Sequence, residues 1–443
     1  MKKAIIACLL LIYIADGALS AQAATAVDSK DTDRNRSAAQ MPTNVQANFS
    51  AWLPALMKDF NALPEVRAQE ARRRQAQLKI SATDQAVYNP ELGLGYQNAS
   101  ASEDTYSLNI SQAIDWGDKR GVGARKAQLE ADILLSDIAL ERSQMLANSV
   151  QALVEQSQMR KALVFQKKQF SSAKIQLKIA QQQMQLGDLS AVELQLIQLD
   201  VASKASDYAM AEQASITADA NVLMLLNSSD LPFNGFFNAL ILPNIAKQID
   251  PELPALRGAY QHVLLAKVTA EQVKAETSAD PTISLNAERE GDDNKLGLGL
   301  SIPLQIRNNY SDTLAVASQE IAIAEQRYLT SERVLTQQQK KFNLSLPRLT
   351  ERYQDWRELV LGSGQEAALA LSQQWKSGDI NTSDYLQSQR LLSSSYLAGL
   401  SLETALYSSW LEWMGASGQL ETFLNSQLSV TFNNGPISSI LAH

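Results

Sequence analysis

The chain is poor in the side chains that carry covalent or metal chemistry: among 443 residues there is one cysteine and there are two histidines. The cysteine, Cys8, lies in an apolar run near the N-terminus, which excludes disulfides and thiol–metal centres from the rest of the chain. With only His262, inside a helical pattern, and His443, at the last position, no His-x-x-His pair or His/Cys/carboxylate cluster can form a metal centre. A Ser-His-Asp triad would have to use His262, which has no elbow motif beside it. Gly93-Leu94-Gly95 and Gly297-Leu298-Gly299 resemble pieces of phosphate loops but lack the Lys-Ser/Thr that follows one. Arg72-Arg73-Arg74 reads as a solvated helix face, and a net charge of −8 argues against nucleic acid as a partner. No catalytic residue, cofactor or metal ligand is therefore expected.

Long apolar runs are also lacking. After the first residues no stretch approaches the roughly 20 apolar residues of a membrane helix, so any membrane insertion must use strands. At the start, Lys2 and Lys3 precede the apolar run from Ala4 to Ile14, and Ala21-Gln22-Ala23 offers a small-x-small cleavage site. Residues 1–23 read as an export signal. Residues 24–43, rich in Ala, Asp, Ser and Gln, read as a disordered leader.

What the chain does have is a repeat. Leu63-Pro64-Glu65-Val66-Arg67 is echoed by Leu253-Pro254-Ala255-Leu256-Arg257, Asn89-Pro90-Glu91-Leu92 by Asp280-Pro281-Thr282-Ile283, and Gly187-Asp188-Leu189-Ser190 by Gly378-Asp379-Ile380-Asn381. The offsets are 190 (254 − 64), 191 (281 − 90) and 191 (378 − 187), one register across most of the chain. This predicts an internal duplication, residues 44–240 and 241–425, followed by a tail at 426–443. Each half holds a helix, a strand hairpin, a very long helix, a tight break and a further helix.

The hairpins are expected near 90–112 and 281–303. Leu92, Leu94 and Tyr96, then Tyr106, Leu108 and Ile110, alternate with Gly, Ser, Asn and Gln. Ile283, Leu285 and Ala287, then Leu296, Leu298, Leu300 and Ile302, repeat the pattern. Polar loops at Asn98–Asp104 and Arg289–Lys295 join the strands. A soluble sheet beneath helices would alternate in the same way, but the polar faces here are small and mostly uncharged, as if lining a lumen. Strands of about 9–11 residues with this pattern suit a transmembrane barrel, yet four cannot close one, since the smallest single-chain barrels use about eight. An open edge in lipid would leave backbone groups unpaired. A barrel therefore implies several copies.

The long helices are expected at 119–186 and 309–377, followed by helices at 190–227 and 381–416. The first, free of proline, would extend about 100 Å. Leu129, Ile133, Leu140, Ala147, Val150 and Val154, and then Leu194, Ile197, Val201, Tyr208 and Ala211, fall on coiled-coil spacings. Gly187 and Gly378 end the long helices. Ser190 with Glu193 makes a capping box, and Asn381 with Asp384 repeats it.

The order of elements, the duplication, Asn89-Pro90-Glu91-Leu92, the run Leu108-Asn109-Ile110-Ser111-Gln112-Ala113-Ile114 into Gly117-Asp118-Lys119-Arg120, and Gly187-Asp188-Leu189-Ser190 resemble the TolC-type outer-membrane efflux proteins. That strand end, with Leu225–Gly235, is also similar to the heavy-metal (CzcC-like) efflux branch. The resemblance implies a mostly α fold with a small β part. A homotrimer would pool four strands per subunit into a twelve-stranded outer-membrane barrel, continued by a coiled-coil helical tunnel through the periplasm. Its implied partners are outer-membrane lipid, a periplasmic membrane-fusion adaptor and an inner-membrane pump, for which the RND type is a candidate. It implies adaptor contacts at the tips, Gly187, Asp188, Leu189, Ser190, Gly378, Asp379, Ile380 and Asn381, and a constriction for which Asp188, Glu193, Asp379 and Asp384 are the nearby acids. Family members often carry an arginine four residues before the tip glycine, where this chain has Gln183 and Gln374. The implied role is passive efflux of solutes, with heavy-metal cations or drugs as candidate cargo. The alternatives are an exit duct for protein secretion and a soluble periplasmic coiled-coil scaffold.

Overall fold

A computed structural model describes residues 43–98, 103–228, 231–242, 248–361 and 364–433. The expected export signal and nearly all of the leader lie outside the described residues. Helix α1 (Thr43–Ala62) begins at the leader's last residue, and α2 (Pro64–Thr83) follows, with Pro64 at its first turn where no backbone donor is needed. Strands β1 (Glu91–Gln97) and β2 (Thr105–Ala113) lead into α3 (Lys119–Leu186) and α4 (Ala191–Leu226). The second half runs α5 (Pro254–Glu276), β3 (Thr282–Glu290), β4 (Asp293–Ser301), α6 (Ser311–Trp356), α7 (Gly364–Ser377), α8 (Thr382–Ser417) and α9 (Leu420–Asn433).

Three expectations are corrected. The second long helix is not continuous over 309–377: α6 passes into a π turn at Arg357–Leu361, and α7 is separate. Pro347 is accommodated inside α6, and the interruption falls where the sequence carries Gly362, Ser363 and Gly364, weak helix formers in succession. The second hairpin loop is not seven residues long, because β3 and β4 pair as far as Glu290↔Asp293 and leave Gly291-Asp292 as a two-residue turn. Gly291 has φ +59°, as a glycine-first hairpin turn requires. The tail does not start at 426. Leu424 is fully buried and Gln427 nearly so, which holds α9 helical to Asn433.

Two buried clusters organise the helices. The larger joins Phe49, Trp52, Leu56 and Phe60 of α1 to Phe236, to Trp410 of α8 and to Leu420 and Leu424 of α9. Arg142 of α3 ties this region together with a two-pronged pair to Glu421 (Nε–Oε1 2.8 Å, Nη2–Oε1 2.6 Å) and a 2.9 Å bond to Asn61. The smaller cluster lies at the far end of the helices, around Ala180, Ile197, Trp375, Tyr385 and Leu386. Along α3 the expected seam is buried at Ile133, Ala147, Val150 and Val154 and half-buried at Leu129 and Leu140.

Candidate functional site: an amphipathic sheet and two hairpin tips

The four strands form one antiparallel sheet in the order β1-β2-β3-β4. Because side chains alternate with period two, the register decides which residues share a face. Leu94 faces Leu108, Leu108 faces Ala287, and Ala287 faces Leu296. Leu92, Ile110, Leu285 and Leu298 form the neighbouring row. This apolar face is uncovered: Leu94 is 79% exposed and Leu298 85%. Burial beneath helices, the arrangement of a soluble sheet, is not what the chain adopts.

The opposite face carries Gly93, Asn109, Asn286 and Gly297 in one row and Gly95, Ser107, Glu288 and Lys295 in another. A Cβ at Gly95 would lie 2.4 Å from Ser107 Oγ, and one at Gly299 would lie 2.4 Å from Ser284 Oγ, so both hairpins crowd a serine against a missing side chain. Charge enters only toward the turn, where Lys295 pairs with Glu290 at 2.6 Å and Glu288 at 3.5 Å.

Where sheet meets helices, Lys119 Nζ lies 2.5 Å from Asp280 Oδ2 and donates to the Tyr88 hydroxyl at 3.0 Å. Tyr88 itself donates to the same carboxylate, and the Trp116 amide donates to Asp280 Oδ1 at 3.2 Å. Partial burial works against both charges, but the mutual hydrogen bonds and attraction outweigh it. Asp280 is held below the usual carboxylate range and Lys119 above the usual lysine value. Composition and periodicity gave no sign of this junction. The signal was present in the motif Gly117-Asp118-Lys119-Arg120, whose lysine has its partner in the other half of the chain.

At the far end the two tips are built alike. Gly187 (φ +86°) and Gly378 (φ +79°) close α3 and α7, the amides of Asp188 and Asp379 returning to the carbonyls of Gln183 and Gln374 at 2.9 Å. Gly187, Asp188, Ser190, Gly378, Asp379 and Asn381 are exposed, whereas Leu189 and Ile380 are half-buried and pack on the cluster behind them. The acids are occupied to different extents. Glu193 Oε2 accepts from the Ser190 hydroxyl (2.7 Å) and amide (3.0 Å), which keeps its pKa below the usual glutamate value. Asp384 Oδ2 accepts from Asn381 Nδ2 at 2.8 Å, and Asp379 Oδ2 from Ser377 Oγ at 2.5 Å. The Asp188 carboxylate makes no hydrogen bond among the described residues.

The structure also brings the two tips against each other. Trp375 stacks on Tyr385 (5.1 Å, 17°), Trp375 Nε1 donates to Thr382 Oγ1 at 3.4 Å, and Thr382 Oγ1 donates to Glu193 Oε1 at 3.3 Å. Gln176 of α3 donates to the Tyr385 hydroxyl, whose pKa burial pushes up to about 12. One turn further along α4, Asp200 and Lys204 are buried, with Arg390 of α8 3.7 Å from Asp200. Burial pushes the Asp200 carboxyl above its ordinary value in spite of these cations. His262 lies in α5 and lines a groove of about 650 Å³ against α6, with Leu265, Thr269 and Tyr328.

No protein-family model matches the chain, and no curated protein matches it by sequence. Solved structures do match. The outer-membrane channel OprN is similar with a TM-score of 0.68 at 15% identity, over 83% of this chain and 90% of that one. The Campylobacter jejuni CmeC outer membrane channel gives 0.69 at 13% identity, over 87% and 90%. The open state of the Neisseria gonorrhoeae MtrE outer membrane channel gives 0.63 at 14%, over 85% and 89%. Paired long helices carrying a four-stranded sheet with a bare apolar face therefore have the fold of a channel-forming outer-membrane subunit. In particular, the fold is that of the TolC-type outer-membrane efflux channels.

Proposed function

We propose that the chain is one subunit of a homotrimeric outer-membrane channel in a tripartite efflux system, with its helices in the periplasm. One observation carries this reading. The sheet leaves its apolar face bare and, among the described residues, leaves β1 and β4 without partners on their outer edges. In lipid the face is stable and the edges are not, and closure with the sheets of sister copies satisfies both. Three copies supply twelve strands, an even number above the minimum of about eight. The dimensions agree. From Tyr106 to Ile114 is eight residues, about 26 Å along a strand and about 20 Å of height at a tilt near 40°. With the rings of Tyr96, Tyr106 and Trp116 at its ends, this approaches the about 25 Å apolar band of membrane barrels.

In this reading the glycine, serine and asparagine face lines a hydrated lumen, which spares polar solutes the cost of entering lipid. Among the described residues no helix is long and apolar enough to cross a membrane, and no group of His, Cys and carboxylates could hold a metal. Transport is passive, energy comes from an inner-membrane pump, and cations or drugs pass as solutes without a binding centre. The exposed tip residues Gly187, Asp188, Ser190, Gly378, Asp379 and Asn381 meet the adaptor, and Leu189 and Ile380 support them from behind. Of the four tip acids, Asp188 is the best suited to a constriction, because the others are engaged in turn hydrogen bonds. Light scattering of the purified protein in detergent, followed by single-channel recording, tests the proposal: a trimer that conducts is expected, and a monodisperse monomer overturns it.

A further inference from the structure

From the internal repeat we infer the register in which β4 of one copy pairs with β1 of the next: Leu300 lies opposite Leu94, and Ser301 opposite Gly93. The inference rests on the trimeric channel proposed above and specifies its seam.

The reasoning starts from a strand pair inside the chain. β2, at the end of the first hairpin, pairs with β3, at the start of the second, with Ile110 opposite Leu285. This pair joins one half of the chain to the other, as the seam must join the second half of one copy to the first half of the next. Translating it requires two offsets. From β1 to β3 the shift is 191, from Pro90 to Pro281 (281 − 90). The hairpin registers, Leu94↔Leu108 and Leu285↔Leu298, then place Leu298 as the counterpart of Leu108, a shift of 190 from β2 to β4 (298 − 108). A second observation gives the same value independently. Beyond β2 the chain closes a tight turn with the Trp116 amide on the Ile114 carbonyl at 2.8 Å, and beyond β4 with the Ile306 amide on the Leu304 carbonyl at 3.0 Å, again 190 apart (306 − 116).

Applied to Ile110↔Leu285, the two shifts give Leu300 opposite Leu94 of a second copy. The neighbouring pairs follow: Leu298 with Tyr96, and Ile302 with Leu92, on the apolar face; Gly299 with Gly95, and Ser301 with Gly93, on the polar face. The bond from the Ile114 amide to the Pro281 carbonyl (2.8 Å) translates into one from the Leu304 amide to Pro90 of the second copy. Face matching alone does not select this register, since a slip of two residues also keeps apolar opposite apolar. The repeat selects it. The seam differs from its template in one respect. Asn89 stands where the internal junction has Asp280, so the ion pair with Lys119 has no counterpart between copies.

Disulfide trapping tests the register in the full chain with Cys8→Ser. Residues opposite each other on antiparallel strands have Cα atoms about 4.5–5.5 Å apart, within disulfide reach, whereas a slip of two residues separates them by about 8 Å, beyond it. Ser301→Cys with Gly93→Cys is expected to give covalent trimers in at least about fivefold higher yield than Ser301→Cys with Gly95→Cys or with Glu91→Cys. Leu300→Cys with Leu94→Cys repeats the test on the lipid face, so that a folding defect in one pair does not decide the outcome. Preferential trapping of a slipped pair, or no trapping in a protein that sizes as a trimer, overturns the register and leaves the channel reading standing. A monomer in every variant and in the parent overturns both.

Discussion

Lys119, in the first turn of α3, and Asp280, just before β3, are 161 residues apart in sequence and 2.5 Å apart in space. Their side chains are 18% and 9% exposed, so this is a largely dry pair, with Tyr88 as a third member. It fixes the helix that leaves one hairpin to the strand that begins the other, at the point where sheet gives way to tunnel.

Removing either partner leaves a charge short of solvent. Lys119→Met or Asp280→Asn is expected to cost about 2–4 kcal/mol, somewhat under the range for fully buried pairs because some solvent contact remains. Denaturant unfolding of the detergent-solubilised protein measures it. In a double-mutant cycle the pair should cost clearly less than the sum of the single substitutions.

The pH dependence follows from the directions of the two shifts. Asp280, with its folded pKa below the usual value near 4, contributes stability that is complete above that value and disappears as pH falls through the folded one. Lys119, raised, contributes below about 10.4 and loses its contribution as pH climbs through its folded value. The junction should therefore be indifferent to pH through the neutral range. Unfolding curves from pH 7 down to 3 should show an acid loss that Asp280→Asn removes.

On the sheet, Leu298→Arg places a cation on the bare apolar face and should cost about 2–4 kcal/mol if that face meets lipid near mid-depth. Asn286→Arg, on the opposite face, should be tolerated. The amount of heat-resistant trimer in outer-membrane fractions distinguishes the two. Equal loss in both variants would argue against a lipid-facing and a lumen-facing side.

At the tips, Gly378→Val forces a branched side chain into a left-handed conformation and should cost about 1–2 kcal/mol locally. Hydrogen exchange should speed up around residues 374–384 while the sheet stays protected. The open space around Gly378 means that any effect comes from the backbone and not from a clash.

Trp375→Ala removes the side chain that joins Tyr385 and Thr382 across the tips, a truncation of the kind that costs about 3–5 kcal/mol in a packed site. Because this cluster holds the two hairpin ends together, the variant should show larger or longer single-channel openings than the parent. Unchanged conductance would mean that the tips do not set the closed state.

The sequence by itself determined the elements and their faces. Period-two alternation at Leu92–Tyr96 and Leu296–Ile302, the absence of proline from 119 to 186, and glycine followed by a capping residue at 187–190 and 378–381 are local signals, and local backbone preference is enough to produce what they predict. The sequence missed the π turn at 357–361, because a single Gly-Ser-Gly stretch does not say whether neighbouring packing will carry a helix through it. It missed the helical continuation past 426, where burial of Leu424 against α1 makes the difference. Most of all, it could not pair Lys119 with Asp280, or Trp375 with Tyr385 and the opposite tip, and it could not tell that Leu189 and Ile380 pack inward while Asp188 stays open. Such pairings depend on which faces of distant segments meet, and only the tertiary fold brings those faces together.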